Sequence, residues 1–268
     1  MGRDGALIRR EDLGLEARAD LLDRRFTQDH HEAAAGRIGG RSTAELIRQA
    51  REDDAIHALV LRVNSPGGSA FGSELVRREL KLTQEAGKPV VVSMGDVAAS
   101  GGYWISMAAD EVIADAATVT GSIGVVALLP TAKEAMDKLS VHTDGHTTTW
   151  LAGAYDPRTG IDPRFAAMVR SGIAHTYGEF LRQVASARNA EVEQIDDVAQ
   201  GRVWTGAQAL DLGLVDRLGG LTEAVQSAAR MAQLEGSVRV TYIEQAFSPY
   251  ARLLEMLGAS AAQRVWAG

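Results

Sequence analysis

One stretch constrains the fold more than any other: GDVAASGGYW at residues 95–104, with Ser100 at its centre. Small residues crowd both sides of that serine, Ala98 and Ala99 before it and Gly101 and Gly102 after it. A strand-like apolar run, KPVVVSM at 88–94, leads in, and a helical pattern over 103–109 leads out. A serine at such a strand-to-helix turn holds its hydroxyl at the mouth of the element. The N–H groups of the helix start point the same way and can stabilise negative charge. Flanking glycine and alanine let another backbone come close. The plainer alternative is a tight turn with a serine N-cap, which is common.

A second stretch repeats the logic. ALVLRV at 58–63 reads as a buried strand and ends in NSPGGS at 64–69. A Pro-Gly-Gly turn ahead of a helix-like segment presents unpaired backbone N–H groups at one point, a nest that suits an oxyanion. An ordinary strand-to-helix loop is again the alternative, because glycine and proline are the usual punctuation. Two glycine-rich corners about thirty residues apart fit a repeating ββα unit whose corners meet at one site.

Further motifs follow in order: TVTGSIGV, VHTDG and AQGRVWTGAQALDLGLVDRLGG. With VLRVNSPGGS and KPVVVSMGDVAASGGYWIS they give residues 38–233 a specific likeness. This stretch resembles the signal peptide peptidase A (protease IV) family of serine peptidases, and within it the C-terminal half of the long, two-repeat form. The resemblance implies an α/β fold of the Clp protease/crotonase kind, a spiral of ββα units. It implies a Ser-Lys dyad peptidase that degrades membrane-derived signal peptides. It places Ser100 on the nucleophile, Gly68 and Gly101 on the oxyanion-hole amides, and Ser122, in TGSIG, on the hydroxyl that orients the lysine. It implies peptide substrates, no cofactor and no metal. It further implies a homo-oligomer or a lysine-bearing partner repeat, and association with the bacterial inner membrane through a segment that this sequence does not carry.

Composition narrows the field. With 268 residues, 46% of them hydrophobic, the chain can bury a substantial core in one large or two small domains. A net charge of -7 and a pI near 5.4 speak against a nucleic-acid partner. The absence of cysteine excludes disulfides and thiolate metal sites and decides neither cytoplasm nor periplasm. No run of eighteen apolar residues exists, so no membrane span is expected. No signal peptide is visible either. For a family usually anchored by an N-terminal span, this points to a fragment, a trimmed chain or a soluble variant.

Three segments are expected: a helical extension over residues 1–35, the peptidase domain over 36–245, and a leucine-rich helical tail over 246–268. Ser42 to Glu45 form a capping box for a helix ending near Glu52. Strand 56–63, helix 72–86 closed by Gly87 and Pro89, and the strand from Val90 follow. Residues 111–114 read as a short strand, 125–129 as another apolar run, and 131–139 as a helix. Residues 141–160 read as a polar, threonine-rich loop or edge hairpin. The longest helical pattern covers 161–188, with Phe165, Met168, Val169, Ile173, Phe180, Leu181 and Val184 at core-like spacing. A helix over 222–234 and an edge strand over 238–243 close the domain. The family's long form has an apolar strand just upstream. Its counterpart here, residues 29–37, is polar and lacks the β-branched residues a strand prefers.

A serine hydroxyl needs a base to act as a nucleophile at neutral pH. The resemblance makes that base a lysine, whose pKa of about 10.4 must fall to roughly 7–8 through burial. Arginine cannot replace it, because it does not deprotonate in proteins. Only Lys81, Lys88, Lys133 and Lys138 are present, and none lies in 147–163, where the short family form carries its lysine. The long form carries it in an N-terminal repeat. Lys81, Lys133 and Lys138 read as solvated helix faces, and Lys88 opens a strand at the end far from its corner. His142 and His146 in VHTDGH flank Asp144, so a Ser-His-Asp arrangement is imaginable. A surface-loop role is the blander reading. The expectation is a nucleophile whose activator comes from another chain or repeat, with weak peptidase activity on its own. Two alternatives stay open: crotonase-type acyl-CoA chemistry on the same amides, and a non-catalytic assembly subunit.

Overall fold

Runs of β-branched residues set the strands, and glycine, proline and aspartate set the corners between them. A computed structural model describes residues 5–9, 39–236 and 238–243. In chain order the first elements are β1 (Gly5–Arg9), α1 (Gly40–Glu52), β2 (Ile56–Ser65), α2 (Ala70–Glu85) and β3 (Val90–Ala99). Then come α3 (Gly101–Ser106), β4 (Glu111–Ala114), β5 (Val119–Gly121), α4 (Lys133–Lys138) and a short 3-10 turn, Trp150–Gly153. The rest are α5 (Pro163–Arg188), α6 (Val192–Val198), β6 (Val203–Thr205), α7 (Gly206–Asp211), β7 (Arg217–Leu218), α8 (Leu221–Met231) and β8 (Arg239–Tyr242).

The described residues divide into two compact units, Met1–Ser122 with Val203–Gly268, and Ile123–Arg202.

The first unit is built on an eight-stranded mixed sheet in the order β6-β5-β3-β2-β1-β8, with β4 beside β3 and β7 beside β4. β2 and β3 run parallel, from Leu59 opposite Val90 to Val63 opposite Met94. β3 serves two further parallel partners. Val91–Ser93 pair with Glu111–Ile113, and Val97–Ala99 pair with Val119–Gly121. β2 and β3 are apolar almost without alternation because both their faces are covered, as parallel strands require. On one face Ala58, Val60, Val91 and Ile113 pack against Ala224, Ala228 and Ala229 of α8. Tyr103 of α3 is fully buried and its hydroxyl donates to the Leu214 carbonyl at 2.7 Å.

Several expectations change here. Gly5–Arg9, inside the stretch read as a helical extension, is a strand that pairs antiparallel with β2 and β8. Residues 29–37 and the expected tail over 246–268 lie outside the described residues. α1 begins two residues before Ser42. Gly39 is its N-cap, and Ser42 serves from inside the helix, accepting from Gly39 N at 2.9 Å and donating to Gly39 O at 3.0 Å. β3 does not stop at Met94 but continues through GDVAA to the residue before Ser100.

The second unit holds α4, α5 and α6. Asp162 caps α5 by accepting from Arg164 N at 2.8 Å. Only Phe180, Leu181, Val184 and Ala185 of α5 are buried, while Met168, expected in a core, is exposed. The 125–129 apolar run is not buried. It has no regular structure, and Val126 and Leu128 face solvent. Tyr177 is held by α6 and the turn after it, donating to Asp196 and accepting from the Gln200 N–H. No described helix is long and apolar enough to cross a membrane.

Candidate active site

The two glycine corners meet. Ser100 joins β3 to α3 with φ 52° and ψ -117°, a left-handed conformation that a side chain rarely adopts. Such a residue costs about 1–3 kcal/mol and persists only where its surroundings enforce it. Three features enforce it. Its N–H donates to the Gly121 carbonyl at 2.9 Å, its carbonyl accepts from Trp104 N at 2.9 Å, and Gly67 presses on its side chain. A Cβ on Gly67, which itself has φ 115°, would lie 2.7 Å from Ser100 Cβ and 3.0 Å from Gly101 N. Only glycine fits there. At Gly101 a Cβ would stand 3.2 Å from Gly68 N and 2.5 Å from Ser73 Oγ. The PGG turn and the SGG turn therefore pack backbone against backbone.

What remains free at this junction decides its chemistry. The Ser100 hydroxyl makes no capping bond to α3, which removes the plain N-cap reading. Among the described residues, the Gly68 and Gly101 N–H groups donate to nothing. Gly68 is exposed and Ser100 half-buried, so the junction is open to solvent. A hydroxyl beside two unengaged amides is an arrangement that can attack a carbonyl and hold the resulting negative oxygen.

Polar side chains keep the strands aimed at this point. The β2–β3 register shifts between Val63 and Ser65, and Asn64 Oδ1 fills the gap by accepting from Val97 N at 3.1 Å. Thr118 Oγ1 donates to Gly95 O at 2.8 Å, and Thr120 Oγ1 to Ala98 O at 2.7 Å. Arg62 reaches Ser93 Oγ and the Met94 carbonyl at 2.7 and 2.8 Å, and burial pushes its pKa down. Glu74 links the two corner helices, accepting from Trp104 Nε1 at 2.9 Å and from Arg77 at 2.7 Å. Ser122 follows Gly121, the acceptor of the Ser100 N–H, and has φ 49°. Of the four residues singled out from sequence, Ser100, Gly68 and Gly101 share one junction, and Ser122 follows directly on the strand that anchors it. Gly67, Asn64 and Ser73 were missed. The first glycine of PGG was the one signal in the sequence that marks Gly67.

Lys88 and Lys133 are engaged elsewhere, and Lys81 and Lys138 are exposed. Lys88 Nζ donates to the carbonyls of Ala50, Arg51 and Asp53 at 3.2, 2.7 and 2.8 Å, closing the C-terminal end of α1. Burial lowers its pKa, with Asp54 and Asp53 opposing. Lys81 is exposed on α2 and reaches Gln84 at 3.5 Å. In the second unit Lys133 pairs with Asp137 at 2.6 Å, and that bond raises its pKa, the wrong direction for a base. Lys138, His142 and His146 are exposed there.

Comparison with known proteins adds an independent finding. The model of Peptidase family S49 matches residues 83–235. "Protease 4" of Salmonella typhi is 47% identical over 204 residues, 76% of this chain and 33% of that protein. "Serine protease SPPA, chloroplastic" of Arabidopsis thaliana is 40% identical over 205 residues, 75% of this chain and 30% of that protein. The chain thus spans about a third of the length of these curated relatives. A similar solved structure is that of a ClpP1 mutant from Listeria monocytogenes, with a TM-score of 0.46, 15% identity, and coverage of 69% of this chain and 86% of that one.

Proposed function

Because the chain belongs to Peptidase family S49, we propose that it is a serine endopeptidase acting on signal peptides or other membrane-derived peptides. The Ser100 Oγ adds to the carbonyl carbon of a peptide bond. The carbonyl oxygen becomes an oxyanion held by the Gly68 and Gly101 N–H groups. The hydroxyl proton passes to a neutral lysine, which then gives it to the departing amine. Water hydrolyses the remaining ester and frees Ser100. Ser122 orients the lysine. The observation that carries this reading is the left-handed Ser100 wedged against Gly67, with its hydroxyl and two neighbouring amides unengaged.

The lysine comes from a partner chain or a further repeat. Lys88 is occupied by three carbonyls and Lys133 by Asp137. The exposed apolar side chains of the second unit, Val126, Leu128, Leu139 and Leu151, support an interface with such a partner. The same lysine placements favour a second reading, in which the chain is a catalytically weak assembly subunit.

Fluorophosphonate labelling tests both. The purified chain is expected to label at Ser100 slowly, and Ser100→Ala not at all. Rapid, stoichiometric labelling of the chain alone would show that no outside lysine is needed. Labelling at another serine would remove Ser100 from the mechanism. Acceleration by a lysine-bearing homologous repeat favours the peptidase over the weak subunit.

A further inference from the structure

Ser73 lies in the second turn of α2 and is 7% exposed. Helical serines commonly return their hydroxyl to a carbonyl one turn back. Ser106 does so, donating to Gly102 O at 3.0 Å. Ser73 does not, and among the described residues its Oγ has no hydrogen-bond partner. No hydrogen bond within the described residues accounts for a hydroxyl at this position. Alanine, a better helix former, would serve α2 at least as well.

The oxygen is nevertheless placed against the active junction. It stands 2.5 Å from the point where a Cβ on Gly101 would lie, and that same point is 3.2 Å from Gly68 N and 3.4 Å from Gly67 Cα. The Ser73 Oγ and the Gly67-Gly68 backbone therefore close on one side of Gly101 from two directions. Gly101 is glycine because that space is already taken.

On the reading of the Gly68 and Gly101 amides as oxyanion donors, we infer that Ser73 is a positioning residue for them. Its Oγ bears on Gly101 Cα and fixes where the Gly101 N–H points relative to the Gly68 N–H. Removing that one atom opens a gap into which Gly101 can shift, and the two amides no longer converge on one oxygen. Displacement of this order costs reaction rate while the sheet and helices stay intact.

Four variants of the full chain separate the outcomes: Ser73→Ala, Gly101→Ala, the double variant, and Ser100→Ala. The readouts are the fluorophosphonate labelling rate at Ser100 and the thermal midpoint. Ser73→Ala is expected to label about 10-fold more slowly than the unaltered chain, with an equal or higher midpoint. Gly101→Ala is expected to be slower still, because its methyl meets Ser73 Oγ. The double variant is expected to label faster than Gly101→Ala, since the first change vacates the space that the second fills. Ser73→Ala labelling at the unaltered rate, or a double variant no faster than Gly101→Ala, overturns the inference and leaves Ser100 as nucleophile. A lowered midpoint with an unchanged rate marks packing alone and overturns it too. Labelling that persists in Ser100→Ala, or is absent from every form, overturns the reading of the site itself.

Discussion

Two apolar runs of similar composition end in opposite surroundings. Val90, Val91 and Val92 are 0% exposed, whereas Val126 is 91% and Leu128 86% exposed. The first run sits in β3, flanked by β2 and β4, with α8 packed on the core that Val91 joins. The second run lies in the other unit and is paired with no described strand. Hydrophobicity nominates a segment for burial, but ladder partners and covering helices decide whether it is buried. In the first unit local sequence and packing agree, and a strained serine can be held there. In the second unit apolar side chains of that run stay open to solvent.

Several measurements break or sharpen that contrast. The largest effect is expected from Gly67→Ala, whose methyl would come 2.7 Å from Ser100 Cβ at a left-handed φ of 115°. Labelling of Ser100 should fall at least about 100-fold, and an unchanged rate would end the claim that the corners constrain one another. Next, Leu80→Ala in the first unit, at 0% exposure, should cost about 2–5 kcal/mol in urea unfolding. Leu128→Ala in the second should stay within about 0.5 kcal/mol. A comparable cost at Leu128 would mean that a partner or a second copy buries it in solution.

Lys88→Met tests a smaller difference, that between a structural and a chemical lysine. Losing three charge-assisted bonds at the end of α1 should cost about 2 kcal/mol. Ser100 labelling should be unaffected. Loss of labelling at an unchanged thermal midpoint would identify Lys88 as the base after all. The smallest effect is a pH dependence in the second unit. The side-chain bond from Arg164 lowers the Asp162 pKa from 3.8 to about 2. A depressed carboxylate stabilises the fold above its unfolded pKa and loses that contribution as pH falls through the folded value. The midpoint gap between the chain and Asp162→Asn should therefore be full at neutral pH and shrink below pH 3.8 toward 2.

Much of the junction was legible because its constraints are local. PGG and SGG spell left-handed turns and close approach in the residues themselves, and the apolar runs at 58–63 and 88–94 mark the strands that carry them. Helix ends were less legible. Ser42 looked like an N-cap, but the Gly39 backbone begins the helix and the serine hydroxyl folds back onto it. β3 was expected to end at Met94. Three side chains distant in sequence, Asn64, Thr118 and Thr120, carry its pairing on to Ala99. The strand at Gly5–Arg9 owes its place to partners more than 45 residues away, at Ile56–Leu61, and to β8, so no local signal announces it. The spacing in α5 promised a long buried face, yet only the turn around Phe180 to Ala185 found neighbours.

By itself the sequence determined which residues can turn sharply, which runs seek burial, and that only four lysines exist in this chain. Those properties belong to single residues and their near neighbours. The tertiary structure alone decided that Gly67 bears on Ser100, that Ser73 bears on Gly101, and that Lys88 closes a helix instead of serving a hydroxyl. Each of these depends on which distant segments the sheet and helices bring within a few ångströms, a matter settled by packing and not by the order of the chain.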